Sequence, residues 1–320
     1  MGNYKGTREA FTSALMELSE NDSRYMLVSP DSLKAMRATA FAEKYPRQYI
    51  EVGIAEQNAV AVAAGLASCG LVPFVATYAG FITMRACEQV RTFVAYPGLN
   101  VKFVGINGGL FGGEREGVTH QFFEDLGIVR AIPGITVIAP ADAHQVYHAV
   151  KAAAVVEGPV YIRAGSGREH VVYDPETPFE LGKIRVLKEY GSDVALFANG
   201  FVLSRVIEAA RILREDGIKV TLADVHTLKP IDTVGITAVL RNCGAAVTVE
   251  DHNIIGGLAD AVAKVSTENC PVLIERVGLQ DVFPGSGAAE DVLDYYGMSV
   301  SDIIQAVKRA LAKKTGQEVK

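Results

Sequence analysis

One acidic side chain near the start of the chain stands out from its apolar surroundings. Glu56 follows a strand-like run and a glycine, and it opens an alanine-rich stretch in which no charged residue occurs from Gln57 to Met84. Burial among apolar neighbours disfavours an ionised carboxyl group, so we expect the pKa of Glu56 to be raised. Such a group can exchange a proton with a weakly basic ring nitrogen. The alternative, which spacing alone favours, is that Glu56 only complements the helix dipole in the first turn.

Two further patterns supply groups that suit an aromatic ligand. Tyr78 and Phe81, three residues apart, can present two rings to one pocket, although aromatic pairs at helical spacing usually belong to the core. His120, in Thr119-His120-Gln121, has an imidazole that can transfer a proton near neutral pH, unless it is an exposed loop residue. The glycines that precede it are not followed by the Gly-Lys-Ser/Thr of a phosphate loop. We interpret them as room for substrate and cofactor.

No metal-ligand set is expected on this chain. His144 and His148 lie one helical turn apart, but no third ligand is near in sequence and the metalloprotease glutamate is missing. The four cysteines are widely spaced and contain no CxxC pair, which argues against a zinc ribbon and a disulfide scaffold. We expect reduced thiols in a cytoplasmic protein.

The elements that must position these side chains follow a regular alternation. Apolar runs of strand length alternate with helical patterns, which predicts an α/β fold with a largely parallel sheet. Between residues 166 and 189, glycine, proline and charged residues interrupt this alternation. We therefore predict two α/β domains, with a first domain at 1–168, a linker at 169–190 and a second domain at 191–320.

Charge and hydropathy exclude several functional classes. The net charge of −6 gives no general electrostatic reason to bind nucleic acid or an anionic membrane. The uncharged run from Gln57 to Met84 is long enough for a membrane span, but Ser68-Cys69-Gly70 indicates a helix end and Pro73 blocks continuation. The first residues lack the apolar core of a signal peptide, so we expect no targeting segment.

The motifs, taken together, resemble the transketolase family. Gly53-Ile54-Ala55-Glu56-Gln57 is similar to the pyrimidine-domain motif of that family, and the segment from Ala76 to Ala86 resembles the one whose aromatic residues pack on the aminopyrimidine. The Thr-His-Gln triplet is also similar, and matches continue through Asp125-Leu126 and Ala139-Pro140-Ala141-Asp142. The resemblance covers nearly the full length, and implies a pyrimidine-binding domain followed by a smaller transketolase C-terminal-like domain.

The resemblance also implies roles for single residues. Glu56 would hydrogen-bond to N1′ of thiamine diphosphate and activate it, Tyr78 and Phe81 would hold its ring, and Asp31 would lie near it, unless Asp31 is a helix cap. His120 would face the substrate.

Arg163 and Arg8 match family arginines that bind substrate phosphate, with a structural salt bridge as the alternative for each. The chain departs from the family pattern at Met84, where a third aromatic is expected, at Glu116, where an aspartate contacts the sugar, and at Gly108, where a histidine is found. Substrate contacts on the side of Glu116 and Gly108 are therefore expected to differ.

One family motif is missing. Thiamine-diphosphate enzymes bind Mg²⁺ and the diphosphate through a Gly-Asp-Gly sequence, which occurs nowhere in this chain. We therefore expect a partner subunit that carries the Gly-Asp-Gly site, in an α2β2 hetero-oligomer that transfers a two-carbon ketol unit from a ketose phosphate to an aldose. The alternatives are the β subunit of a 2-oxoacid dehydrogenase E1 component, a deoxyxylulose-phosphate synthase-like activity, and a non-catalytic regulatory subunit with the same fold.

Overall fold

The computed structural model describes residue 4, residues 6–112 and residues 116–316 of the chain. Within these residues, strands and α-helices alternate as the sequence predicts. The strands are β1 (Tyr25–Ser29), β2 (Tyr49–Glu51), β3 (Val72–Tyr78), β4 (Lys102–Ile106), β5 (Thr136–Ile138), β6 (Val160–Arg163), β7 (Arg185–Glu189), β8 (Val194–Ala198), β9 (Val220–Asp224), β10 (Thr227–Lys229), β11 (Ala245–Asn253) and β12 (Leu273–Leu279). The helices are α1 (Thr7–Asn21), α2 (Thr39–Lys44), α3 (Glu56–Ser68), α4 (Cys87–Gln89), α5 (Asp125–Ala131), α6 (Ala143–Ala154), α7 (Leu203–Glu215), α8 (Thr233–Cys243), α9 (Leu258–Asn269), α10 (Ala289–Tyr295) and α11 (Val300–Thr315).

The first sheet has seven strands in the order β10-β5-β6-β4-β3-β1-β2, all parallel except β10. Its central strands are buried on both faces, which explains why they read as continuous apolar runs. Val28, Val75 and Phe103 face one hydrophobic cluster together with residues of α3 and α5. Their neighbours along the strands face a second cluster with α1 and α6. The sheet is therefore sandwiched between two helical layers.

The second sheet has five strands in the order β12-β11-β8-β9-β7, with only β7 antiparallel. Helices α7 and α11 pack on one face through a third apolar cluster. The predicted fold class, two α/β domains, is confirmed, and both sheets are mostly parallel. The chain returns from the second sheet to the first, because β10 follows β9 of the second sheet but pairs with β5 of the first. The assignment of all residues after 190 to a separate domain stays a prediction.

The segment after β3 is irregular. The sequence predicts one helix over Phe81–Val94, whereas the structure has two π-helical segments, Phe81–Arg85 and Val90–Ala95, on either side of the short α4. The Ala86 amide donates to the Phe81 carbonyl at 3.2 Å, five residues back. π-helical turns insert an extra residue and often occur at functional sites. Among the described residues, no helix is long and apolar enough to cross a membrane.

Candidate functional site

The candidate side chains gather at one edge of the first sheet. The parallel strands β1, β3 and β4 end at Ser29, Tyr78 and Ile106, so the loops that follow them lie side by side. Ligands of open parallel sheets bind at the carboxyl ends of the strands. This topology brings to one edge of the sheet Glu56, the pair Tyr78 and Phe81, and His120, which come from three separate segments of the chain.

Glu56 is the first residue of α3 and is only 4% exposed. The chain reaches it from β2 through a turn in which Gly53 has φ 70°, a conformation that favours glycine. The Glu56 side chain accepts a hydrogen bond from the guanidinium of Arg85, with Nη1 at 2.8 Å from Oε1. A buried carboxylate is thus held at the site edge by a single cation.

Four rings form an aromatic cluster at the same edge of the sheet. Tyr78 and Phe81 have ring centroids 5.3 Å apart, and the His120 imidazole lies edge-on to them at 5.0 Å and 5.5 Å. Phe122 closes the cluster at 5.5 Å from Phe81. Gly80 makes this packing possible, because a Cβ atom there would lie 2.0 Å from the Phe122 ring. The rings that the sequence predicts to share a pocket are in mutual contact.

Arg85 is a site residue that the sequence reasoning missed. Its guanidinium carbon lies 4.0 Å from the centroid of Phe81, so the side chain contacts this ring and Glu56 together. A signal was present, since Glu56 and Arg85 are the charged residues that bound the uncharged run from Gln57 to Met84. Charges that flank a long apolar run are candidates for pairing with each other.

A cavity of about 640 Å³ opens beside the aromatic cluster. His120 and Arg85 line it, and so does Phe283, which comes from the second half of the chain. Glu124 lines it as well, with Oε2 buried and no described hydrogen-bond partner, and burial raises the pKa of this carboxyl group. Met84, at the place of the expected third aromatic, is 42% exposed on the cavity wall. The cavity therefore offers acid, base and aromatic surfaces to a polar organic ligand.

Arg163 lies apart from this cavity. It is fully buried at the end of β6, with Nη2 at 2.9 Å from Asp125 and Nη1 at 2.8 Å from Asp251 of β11. Burial alone would lower the pKa of Arg163, but the two carboxylates raise it above its ordinary value. A Cβ atom at Gly108 would come within 2.4 Å of this side chain. The predicted contact of Arg163 with a substrate phosphate finds no support here, because the guanidinium has no exposed surface and bridges the two halves of the chain.

Arg8 is held by its surroundings but belongs to a cationic group. Its guanidinium donates to Ala35 O at 3.0 Å and to Asn107 Oδ1 at 2.5 Å. Burial lowers the pKa of Arg8. Tyr78 and Glu169 oppose this effect, and the charges of Arg37 and Arg168 add to it. Arg37 and Arg168 are exposed. We name Arg8, Arg37 and Arg168 the arginine group.

The remaining predicted residues lie at the rim. Asp31 is exposed, has φ 54°, and its amide donates to Glu51 Oε1 at 2.7 Å. Glu116 is exposed in the turn before the short 3-10 helix Gly117–His120, and its carbonyl accepts a hydrogen bond from the Thr119 hydroxyl. The part of the glycine-rich motif at 113–115 lies outside the described residues. Neither carboxylate is in direct contact with the aromatic cluster in the contacts described.

Comparison with known proteins agrees with this geometry. The family model of the transketolase pyrimidine binding domain matches residues 4–167, and that of the transketolase C-terminal domain matches residues 182–303. Over 308 residues the chain is 37% identical to the 6-deoxy-6-sulfo-D-fructose transketolase subunit SqwH of Clostridium sp., covering 96% of this chain and 95% of that subunit. It is 33% identical over 312 residues to a subunit of the apulose-4-phosphate transketolase of Phocaeicola vulgatus, covering 97% of this chain and 99% of that subunit.

A solved structure is also similar over its whole length. It is a split gene transketolase described as an inactive β4 tetramer, with a TM-score of 0.88 and 39% identity, covering 98% of this chain and 100% of the other. The two domain models, the subunits of similar length and this structure all belong to the same family. The chain belongs to the transketolase family and carries its pyrimidine-binding and C-terminal domains.

Proposed function

We propose that this chain is the pyrimidine-binding subunit of a thiamine-diphosphate-dependent transketolase that transfers a two-carbon ketol unit from a ketose phosphate to an aldose. The observation that carries the proposal is the buried Glu56 carboxylate, which Arg85 connects to the cluster of the Tyr78, Phe81 and His120 rings. An acid and an aromatic cluster joined in this way suit a flat, basic heterocycle, which needs both a hydrogen-bond partner and ring contacts.

The described residues fit the aminopyrimidine half of the coenzyme. Glu56 would accept a hydrogen bond from the protonated ring nitrogen, Tyr78 and Phe81 would pack against the ring, and Asp31 would lie nearby. The bound coenzyme supplies the carbanion that carries the two-carbon unit, while the protein supplies orientation and electrostatics. In this arrangement Glu56 holds a proton at the ring nitrogen.

The same residues do not fit the diphosphate half. Among the described residues no group of three or more His, Cys, Asp or Glu is arranged to hold a metal ion, and the whole sequence contains no Gly-Asp-Gly. Mg²⁺ prefers several oxygen ligands, including phosphate oxygens. We therefore assign the Mg²⁺ site to a partner chain that carries Gly-Asp-Gly, in an α2β2 assembly.

The site edge is suited to being covered by that partner. Ile54, next to the Glu56 turn, is 76% exposed, and Met84 and Val118 on the cavity wall are 42% and 43% exposed. Apolar side chains grouped at a site edge are typical of interfaces. The similar split gene transketolase that is described as inactive contains β chains only, which supports the need for a second type of subunit.

His120 and the arginine group are assigned to the substrate. The Thr119 hydroxyl lies 3.0 Å from Nδ1 of His120, which leaves Nε2 to exchange a proton with substrate oxygens in the cavity. Arg8, with Arg37 and Arg168 close by, is the better candidate for a substrate phosphate than the buried Arg163. Glu116 at the rim is assigned to a sugar hydroxyl.

The test is reconstitution with a Gly-Asp-Gly partner chain. Ketol transfer should require both chains, thiamine diphosphate and Mg²⁺, and Glu56→Gln should remove nearly all turnover while the two chains still co-elute in gel filtration. Glu20→Gln is the matched control, because Glu20 is an exposed carboxylate paired with Lys44 at 3.1 Å and away from the site.

The alternatives give different results in the same assay. Decarboxylation of 2-oxoacids without ketol transfer would identify a 2-oxoacid dehydrogenase subunit. Unchanged turnover in Glu56→Gln would favour a regulatory subunit. Full Mg²⁺-dependent activity of this chain alone would contradict the proposal.

A further inference from the structure

The side chain of Arg85 contacts both Glu56 and Phe81, two residues that the proposed function assigns to the coenzyme ring. The Arg85 guanidinium donates to Glu56 Oε1 at 2.8 Å, and its central carbon lies 4.0 Å from the centroid of the Phe81 ring. Glu56 is 4% exposed, so little of its carboxylate surface remains for a second partner. In this state, Arg85 satisfies the carboxylate and covers a ring face at the same time.

The shape of the side chain explains why it can do both. A guanidinium is planar and delocalised, carries N–H donors at its edge, and stacks on aromatic rings. An aminopyrimidine is also planar and presents its polar groups at the edge. Arg85 therefore offers Glu56 and Phe81 the same two kinds of contact that a protonated aminopyrimidine would offer.

We infer that Arg85 is a positioning residue that competes with the coenzyme for Glu56 and thereby sets the coenzyme affinity. This inference rests on the proposed function. Arg85 holds the carboxylate paired until the ring arrives, and it must release Glu56 before the ring can bind there. The apparent affinity is reduced by the fraction of subunits in which Glu56 is occupied.

The contact is built so that it can open. The Arg85 side chain is 48% exposed, and within the described part of the chain its guanidinium has one polar partner, Glu56. It projects from the π-helical segment Phe81–Arg85, where the regular helical hydrogen-bond pattern is already interrupted. By contrast Glu56 is fixed at the start of α3 by burial. When the pair separates, Arg85 is therefore the side that moves toward solvent.

Removal of the competitor should tighten coenzyme binding. In the complex reconstituted with the diphosphate-binding partner, we expect Arg85→Gln to lower the Kd for thiamine diphosphate with Mg²⁺ about tenfold in isothermal titration calorimetry, the size expected for a half-exposed ion pair plus one cation–aromatic contact. Arg85→Lys keeps the charge but loses the planar donor edge, so it should fall between the wild type and Arg85→Gln.

Steady-state kinetics give a second measurement. The KM for the coenzyme should fall in parallel with Kd, and the gain should not come from kcat. Arg24→Gln is the matched control, because Arg24 pairs with Asp22 at 2.7 Å just before β1, at the sheet edge opposite the site. It removes the same charge and should leave Kd unchanged.

The outcomes separate this inference from the proposed function. If the wild-type complex bound no thiamine diphosphate, or if Glu56→Gln left turnover unchanged, the proposed function would fail and the inference with it. If the wild type bound the coenzyme and Glu56→Gln abolished turnover, but Arg85→Gln bound it as weakly as the wild type or more weakly, competition by Arg85 would be refuted and the proposed function would stand.

Discussion

The fully buried Arg163 offers a test that decides between two roles for the same side chain. In the structure its guanidinium joins β6 of the first sheet to β11 of the second, with Asp125 and Asp251 as its partners. The sequence resemblance instead predicts a contact with substrate phosphate. Arg163→Met retains a long apolar side chain of similar reach and removes the charge, so the two roles predict different consequences for stability and for substrate binding.

The structure sets the size of the effect on stability. Arg163, Asp125 and Asp251 are each 0% exposed as side chains, so solvent does not screen their interactions. Loss of one member of a buried ion cluster leaves uncompensated buried charge and typically costs about 3–5 kcal/mol. Two carboxylates lose their cation here, so we expect the free energy of unfolding to fall by an amount in this range.

Urea denaturation of the isolated chain measures this loss. Arg24→Met is the matched control, because the Arg24 side chain is 63% exposed and its loss should change stability by less than about 0.5 kcal/mol. Adding Asp251→Asn to Arg163→Met removes one of the two unpaired charges, so the double variant should recover about 1–2 kcal/mol.

A stability change under about 1 kcal/mol, combined with a tenfold or greater rise in KM for the phosphorylated donor in the reconstituted complex, would refute the structural role. That result would indicate that Arg163 contacts the substrate phosphate. A double variant less stable than Arg163→Met would contradict the argument from unpaired charge.

Three further predictions concern the site and the pH dependence of folding. His120→Asn should lower kcat about 100-fold or more in the reconstituted complex, the usual effect of losing a general acid–base, and a change in KM alone would contradict this role. Gly80→Ala should raise the coenzyme Kd, because the new Cβ atom would lie 2.0 Å from the Phe122 ring and displace it. A crystal structure of the variant would reveal the displaced ring. An unchanged Kd with unmoved rings would disprove the packing argument. Burial lowers the pKa of His226 from 6.5 to about 4, so the unfolded chain takes up a proton first as the pH falls and stability is lost between these values. In His226→Gln, the fall in the free energy of unfolding between about pH 7 and about pH 4 should be smaller than in the wild type by up to about 3 kcal/mol, as measured by urea titrations. A difference in stability between wild type and variant that stays constant over this pH range would contradict the prediction.

The sequence was informative where burial imposes a simple pattern. The apolar runs of the sequence predict strands at Tyr25–Ser29 and Val160–Arg163, and these are the bounds of β1 and β6 in the structure, because parallel strands covered on both faces read as unbroken apolar runs. The pairing of Tyr78 and Phe81 was predicted from their spacing, and the placement of His120 near the same site from the resemblance of Thr119-His120-Gln121 to the transketolase family. Short elements with mixed patterns were missed, among them α2, α10 and β10, because tertiary contacts rather than periodicity stabilise them.

The irregular helix after β3 lay beyond what periodicity can show. Phe81–Val94 reads as a single helix because its apolar residues recur at helical spacing, and one extra residue per π-helical turn hardly alters that pattern over so short a segment. The consequence is local but important. Arg85 is the last residue of the first π-helical segment, and from this position its side chain reaches the buried Glu56.

The environment of Arg163 in the structure differs from the one that its position in the sequence suggested. The resemblance to the transketolase family implied that Arg163 binds substrate phosphate, with a structural salt bridge as the alternative. Asp251 comes from far later in the chain, and its approach through β11 converts the position at the end of β6 into a fully buried one. A buried arginine requires carboxylate partners, so the placement of Asp125 and Asp251 beside it is what a structural role demands. Arg37 and Arg168 are exposed, so a ligand in solvent can reach their guanidinium groups, and the search for a substrate anion should move from β6 to the arginine group.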